Sequence, residues 1–119
     1  MARILLAEDD DQRRAFLGRG LRRAGHAVDA VADGEAALVQ AHDADYDLLV
    51  ADVVMPGMNG RKLAEQAAQL HPGIKVVYMT GYSRNAIVHQ GRLDPGVDLI
   101  QKPLSQEKLS LMVRKVLDR

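Results

Sequence analysis

Apolar residues cluster in four short runs, at residues 4–7, 48–51, 76–79 and 97–100, with little alternation of polar positions. Strands buried on both faces read this way. Residues 26–31 alternate instead, as an edge strand does. Between the runs the period lengthens to that of a helix. Phe16, Leu17, Gly20, Leu21 and Ala24 share one face of a helix expected to start near Asp10 and stop at Gly25. Asp33 and Gly34 open a shorter helix over residues 35–42. Leu63, Ala67 and Leu70 repeat behind Asn59 and Gly60, with Pro72 beyond them. Leu109, Met112, Val113 and Val116 form the stripe of a last helix, with Ser105 placed as its N-cap. Strand and helix thus alternate about five times, which calls for a parallel sheet covered on both faces. Ser83, Arg84, Asn85, Gly91, Pro95 and Gly96 break up residues 83–96, so a short fourth helix and a long loop are expected there.

The chain has 119 residues, the size of one domain, and no linker, repeat or low-complexity tract divides residues 1–119. With one Phe, three Tyr and no Trp, its core must be aliphatic. Lys plus Arg balances Asp plus Glu at 16 each, so no global field draws the protein toward nucleic acid or a membrane surface. The absence of Cys excludes a disulfide frame, a thiolate metal site and a thiol nucleophile, as suits a cytoplasmic protein. The opening apolar run is too short for a signal peptide or a membrane span.

Candidate chemistry lies where the strands end. Glu8, Asp9 and Asp10 follow the first buried run, Asp52 the second, Thr80 and Gly81 the next, and Lys102 and Pro103 the last. Ligands of open α/β sheets bind outside the carboxyl ends of the strands. Two carboxylates about 5 Å apart repel by roughly 3 kcal/mol at an effective dielectric near 20, so a counter-charge is required. Oxygen-only ligands select a hard cation, and Mg²⁺ suits the set better than Zn²⁺. Beside such an ion a carboxylate can attack a phosphoryl donor and form an acyl phosphate. Thr80 and Lys102 are placed to hold two phosphoryl oxygens, which is positioning plus charge neutralisation.

Taken together, Leu5-Leu6-Ala7-Glu8-Asp9-Asp10, Asp52-Val53-Val54-Met55-Pro56-Gly57-Met58-Asn59-Gly60, Tyr78-Met79-Thr80-Gly81 and Gln101-Lys102-Pro103 resemble the response-regulator receiver domain over essentially the whole chain. The resemblance implies an α/β flavodoxin-like (βα)5 fold with strand order 2-1-3-4-5. It implies Asp52 as phosphoacceptor and Mg²⁺ held by Asp9, Asp52 and the backbone carbonyl of Val54, with Glu8 acting mainly through a bound water. It further implies Thr80, Gly81 and Lys102 as phosphoryl-binding and switch residues, a cis peptide between Lys102 and Pro103, and a histidine kinase or histidine phosphotransfer protein as donor. Such a domain catalyses only its own phosphorylation and dephosphorylation and is otherwise no enzyme. The output is contact with a downstream protein, the domain being a monomer or weak dimer. The chain resembles both short stand-alone, CpdR-like receivers and the receiver modules of hybrid histidine kinases, and no output domain is expected within residues 1–119.

Each piece has an ordinary alternative. Acid pairs cap helices, Thr beside Gly makes turns, and a Lys before Pro is commonly just exposed. What separates this chain from those readings is their conjunction at successive strand ends. The basic first helix, with Arg13, Arg14, Arg19, Arg22 and Arg23, reads as a solvated face or as a docking surface for the donor. Neutral overall charge and scarce aromatics argue against nucleic acid. His26, His42, His71 and His89 have no metal-ligand spacing, while Met55, Tyr78 and Met79 read as packing. Receivers usually carry Tyr or Phe three residues before the lysine, and Leu99 stands there instead. Switching is therefore expected to use residues 81–96, with Tyr82 as the moving ring. Val54 and Tyr82, each two residues past a site residue, offer nothing to orient an attacking water, so slow dephosphorylation is expected. The departure at Leu99 also supports an alternative, a degenerate receiver that binds partners without phosphorylation. A Mg²⁺-dependent phosphatase would want a second Asp where Val54 stands. A flavin or nucleotide binder would want a Gly- or Ser/Thr-rich loop where Glu8, Asp9 and Asp10 stand.

Overall fold

The computed structural model describes residues 2–81 and 97–119. The expected fourth helix over 83–96 and the switch and lifetime roles expected of Tyr82 lie outside the described residues. Strands β1 (Arg3–Ala7), β2 (Ala27–Val31), β3 (Leu48–Asp52), β4 (Lys75–Thr80) and β5 (Asp98–Gln101) alternate with helices α1 (Asp11–Arg23), α2 (Gly34–Asp43), α3 (Gly60–Leu70) and α4 (Gln106–Leu117). All strand pairs are parallel, in the order β2-β1-β3-β4-β5. This is the flavodoxin-like architecture expected from the sequence, with the alternating run at residues 26–31 on an edge.

Period-two geometry divides each strand between two cores. Leu5, Ala7, Leu49, Ala51 and Tyr78 face α2 and α3, where Ala37, Ala41, Leu63 and Ala67 meet them. Ile4, Leu6, Leu48, Val50, Val77 and Met79 face α1 and α4, against Leu17, Leu21, Leu109 and Val113. Both faces of β1 and β3 are covered, which is why their sequences do not alternate. Each Leu, Ile or Val so buried is worth roughly 1.5–3 kcal/mol, so a double core that is aliphatic apart from Tyr46 and Tyr78 holds the sheet.

Each of the described helices begins at a side-chain cap. Asp10, Asp33, Asn59 and Ser105 accept the backbone N–H three residues on, from Arg13, Ala36, Lys62 and Lys108. The α1 stripe is narrower than the sequence suggests. Leu17, Gly20 and Leu21 are buried, whereas Phe16 and Ala24 are exposed at its margins. Gly20 explains part of this: the Gln106 side chain lies against it and donates to the Phe16 carbonyl at 2.7 Å, so α4 approaches through the glycine and not through the Phe16 ring. Among the described residues, no helix is long and apolar enough to cross a membrane.

Candidate functional site

Strand register gathers the site. Ala7 pairs with Ala51, Asp52 with Met79, and Thr80 with Gln101, so β1, β3, β4 and β5 end along one edge of the sheet. The strand order reverses between β1 and β3, and the residues leaving those two strands flank the crevice that this creates. Glu8, Asp52 and Thr80 are buried there, while Asp9 is exposed. Glu8, Asp9 and Asp52 each place a carboxylate oxygen within 4.8 Å of the others.

Specific donors hold these acids. Lys102 crosses behind the end of β4 and donates its ammonium to Asp52 Oδ2, with Glu8 Oε1 at 3.6 Å. Its own amide donates to the Thr80 carbonyl at 2.6 Å, which fixes the start of the β5–α4 connection, and the Lys102–Pro103 peptide is cis as expected. The Val54 N–H donates to Asp52 Oδ1 at 3.1 Å. Glu8 Oε2 accepts the Asp10 N–H at 3.1 Å, and Oε1 accepts from Arg13 Nη1 at 3.2 Å. Burial pushes the Glu8 carboxyl above its ordinary value, against the opposing pull of the Asp10 amide and Lys102. The Arg13 amide holds Asp10 below the ordinary carboxylate range. Burial alone would lower the Arg13 guanidinium, but the Glu8 hydrogen bond and charge outweigh it and hold it above its ordinary value.

Most of the sequence-derived candidates meet at this edge. Glu8, Asp9, Asp52 and Lys102 form one cluster, Thr80 is buried at the end of β4, and Gly81 follows it at the surface. Val54 has an exposed side chain next to Asp52. Leu99 sits lower in the sheet, half-buried beside Tyr78 and packed on the α2–α3 core, so its role there is packing. Met55, Tyr78 and Met79 are buried as expected.

Three participants were not read as site residues from sequence, although Gly60 ends the motif that begins at Asp52. Arg13, read as part of a basic face that is solvated or docks the donor, pairs with buried Glu8. Arg14 donates to the Glu8 carbonyl at 3.0 Å and to Asp11, pinning the β1–α1 junction. Gly60 lies directly behind Asp52: a Cβ there would stand 2.3 Å from the Asp52 carbonyl oxygen. A five-residue spacing from acid to arginine is the only sequence signal for the Arg13 pair, and it is weak.

The donors are all carboxylate oxygens on the described residues, which fits a hard divalent cation. Three carboxylates against two cations leave the cluster net acidic, which also favours such an ion.

A doubly wound parallel sheet with an acidic pocket at its topological reversal, closed by a lysine just after the last strand, defines an open α/β domain with a candidate divalent-cation site. The family model for the response regulator receiver domain matches residues 4–114. The chain therefore belongs to the response regulator receiver domain family of two-component systems. It is 33% identical to the response regulator receiver protein CpdR of Brucella abortus over 117 residues, 98% of each chain. It is 32% identical to the sensor kinase CckA of the same organism, a match spanning 99% of this chain and 13% of the kinase. The solved structure of the chemotaxis protein CheY4 of Vibrio cholerae superposes with a TM-score of 0.87 at 25% identity, over 98% of both chains.

Proposed function

We propose that this domain accepts a phosphoryl group on Asp52 from a histidine kinase or histidine phosphotransfer protein, with Mg²⁺ as cofactor, and signals through contacts with a downstream protein. The observation that carries the reading is the Lys102–Asp52 pair set inside a three-carboxylate cluster at the sheet's point of reversal. An Asp52 oxygen attacks the donor phosphorus, the bond from phosphorus to the donor breaks, and the leaving group keeps the electron pair. The Val54 amide on Oδ1 and Lys102 on Oδ2 orient the carboxylate for attack. Lys102 then serves as partner for a phosphoryl oxygen, and Thr80 and Gly81 line the same edge. Glu8, Asp9, Asp52 and the Val54 carbonyl would hold Mg²⁺, which supplies charge neutralisation at the transferring phosphoryl group.

The domain's chemistry is confined to its own phosphorylation and dephosphorylation, in the cytoplasm, and it acts as a monomer or weak dimer. Val54 and Tyr82 set a long phosphoryl lifetime. A beryllofluoride titration followed by ¹⁹F NMR tests the site. Bound fluoride resonances that need both Mg²⁺ and Asp52, and that weaken in Lys102→Met, are the expected result. No bound resonance at saturating Mg²⁺ would favour the phosphorylation-independent binding module instead.

A further inference from the structure

Arg13 is the cation at this site that the receiver reading leaves without a task. Its backbone is fixed in the first turn of α1, where its amide donates to the Asp10 cap at 2.7 Å. That is an unfavourable end of a helix for a positive charge, because the macrodipole is positive there. The acid that compensates it is Glu8: Arg13 Nη1 donates to Oε1 at 3.2 Å, the same oxygen that lies 3.6 Å from Lys102. The Glu8 side chain is fully buried, whereas that of Arg13 is 38% exposed, so the guanidinium covers the carboxylate on its outer side. Lys102 already neutralises Asp52. Arg13 therefore adds a second positive charge to a cluster whose three carboxylates would otherwise attract a divalent ion more strongly.

Resting on the Mg²⁺ reading above, we propose that Arg13 is a built-in competitor for the metal, holding Glu8 and so setting how much Mg²⁺ is needed to occupy the site. The ion and the guanidinium repel each other and draw on the same carboxylate. Arg13 is thus an affinity-tuning residue that weakens metal binding in this chain. The repulsion acts at a partly exposed position, so solvent screens it and the effect is a modest factor in affinity.

The test is a MgCl₂ titration at constant ionic strength by ¹H–¹⁵N NMR, following the Asp10 and Val54 amides that donate to Glu8 and Asp52. Wild type, Arg13→Gln, Arg13→Lys and Asp52→Asn are compared, with thermal melts to establish that each is folded. Arg13→Gln is expected to bind Mg²⁺ about threefold to tenfold more tightly than wild type, and Arg13→Lys to stay within about twofold because it keeps the charge. Unchanged or weaker binding in Arg13→Gln would overturn the proposal, as would equal tightening in Arg13→Lys, since charge would then not be the competitor. In either case saturable wild-type binding that Asp52→Asn weakens would leave the receiver reading standing. Absence of saturable binding in wild type would instead overturn that reading, and the competition with it.

Discussion

Lys102 reaches past the end of β4 to donate to the carboxylate of Asp52 on β3, fifty residues earlier in the chain. Both side chains are largely buried, so removing Lys102 leaves Asp52 uncompensated beside two other acids, whereas removing Asp52 leaves Lys102 with Glu8 3.6 Å away. A double-mutant cycle with Lys102→Met and Asp52→Asn measures this. Lys102→Met alone is expected to lower stability by about 1–3 kcal/mol in EDTA, and less in the Asp52→Asn background. Asp52→Asn alone removes one of three mutually repelling acids and should cost little. Additive effects in urea denaturation would mean that the pair is not coupled.

Gly60 and Gly34 both lie at helix starts, but a methyl group meets different neighbours at each. At Gly60 it would stand 2.3 Å from the Asp52 carbonyl oxygen and 3.0 Å from its carbon, both backbone atoms held in β3. At Gly34 it would stand 2.8 Å from Met58 Cβ, the root of a side chain, which moves only with the backbone of the β3–α3 connection. Gly60→Ala should therefore cost about 1–3 kcal/mol and shift the Asp52 and Val53 amide resonances. Gly34→Ala should also cost stability, because Met58 must shift, but with smaller changes at those two amides. Asp52 and Val53 shifts no larger in Gly60→Ala than in Gly34→Ala would show that the close approach behind Asp52 is not constraining.

His26 links stability to pH. Its Nδ1 accepts the Ala2 N–H at 3.2 Å, a bond that only the neutral ring makes. Burial lowers its pKa, with the positive amino terminus and Arg114 acting in the same direction. Below pH about 6.5 the unfolded chain thus binds more protons at this residue than the folded one, and stability falls as pH drops. Above that range the contribution is constant. Chemical denaturation between pH 7.5 and about 5.5 should show a steeper loss for wild type than for His26→Gln. Parallel curves would mean that His26 titrates alike in both states.

Val54 exposes an aliphatic side chain that can neither donate nor accept a hydrogen bond to an attacking water. If that lack is what sets the phosphoryl lifetime, Val54→Asn should lose phosphate several-fold faster than wild type, as followed by intact mass after the donor is removed. An unchanged rate would shift the explanation to another residue.

Local rules account for how much of the fold was legible in the sequence. Uninterrupted apolar runs mark β1 and β3 because both faces of those strands are covered, and the caps Asp10, Asp33, Asn59 and Ser105 stand where their side chains predict helix starts. The acids, Thr80 and Lys102 were legible because parallel register carries successive strand ends to one edge. Less accessible were features that depend on three-dimensional approach. Nothing local sends Lys75 to the carbonyls of Val116 and Leu117, where its ammonium closes the end of α4 at 3.0 and 3.3 Å. The same holds for Tyr46, whose hydroxyl donates to Asp29 at 2.5 Å and whose pKa burial pushes up to about 12. Phe16 was assigned to the buried face by period alone, but Gly20 lets α4 in beside it and leaves the ring outside.

The central claim is that Asp52 takes up a phosphoryl group with the help of a divalent ion. Intact-protein mass spectrometry after incubation with acetyl phosphate tests it most directly, with and without Mg²⁺ and alongside Asp52→Asn. The expected result is a single adduct of about 80 Da, the mass of one phosphoryl group joined as an acyl phosphate. It should appear only with Mg²⁺, and only when Asp52 is present. An adduct that persists in Asp52→Asn or forms equally in EDTA would contradict the claim, as would no adduct under conditions in which beryllofluoride also fails to bind.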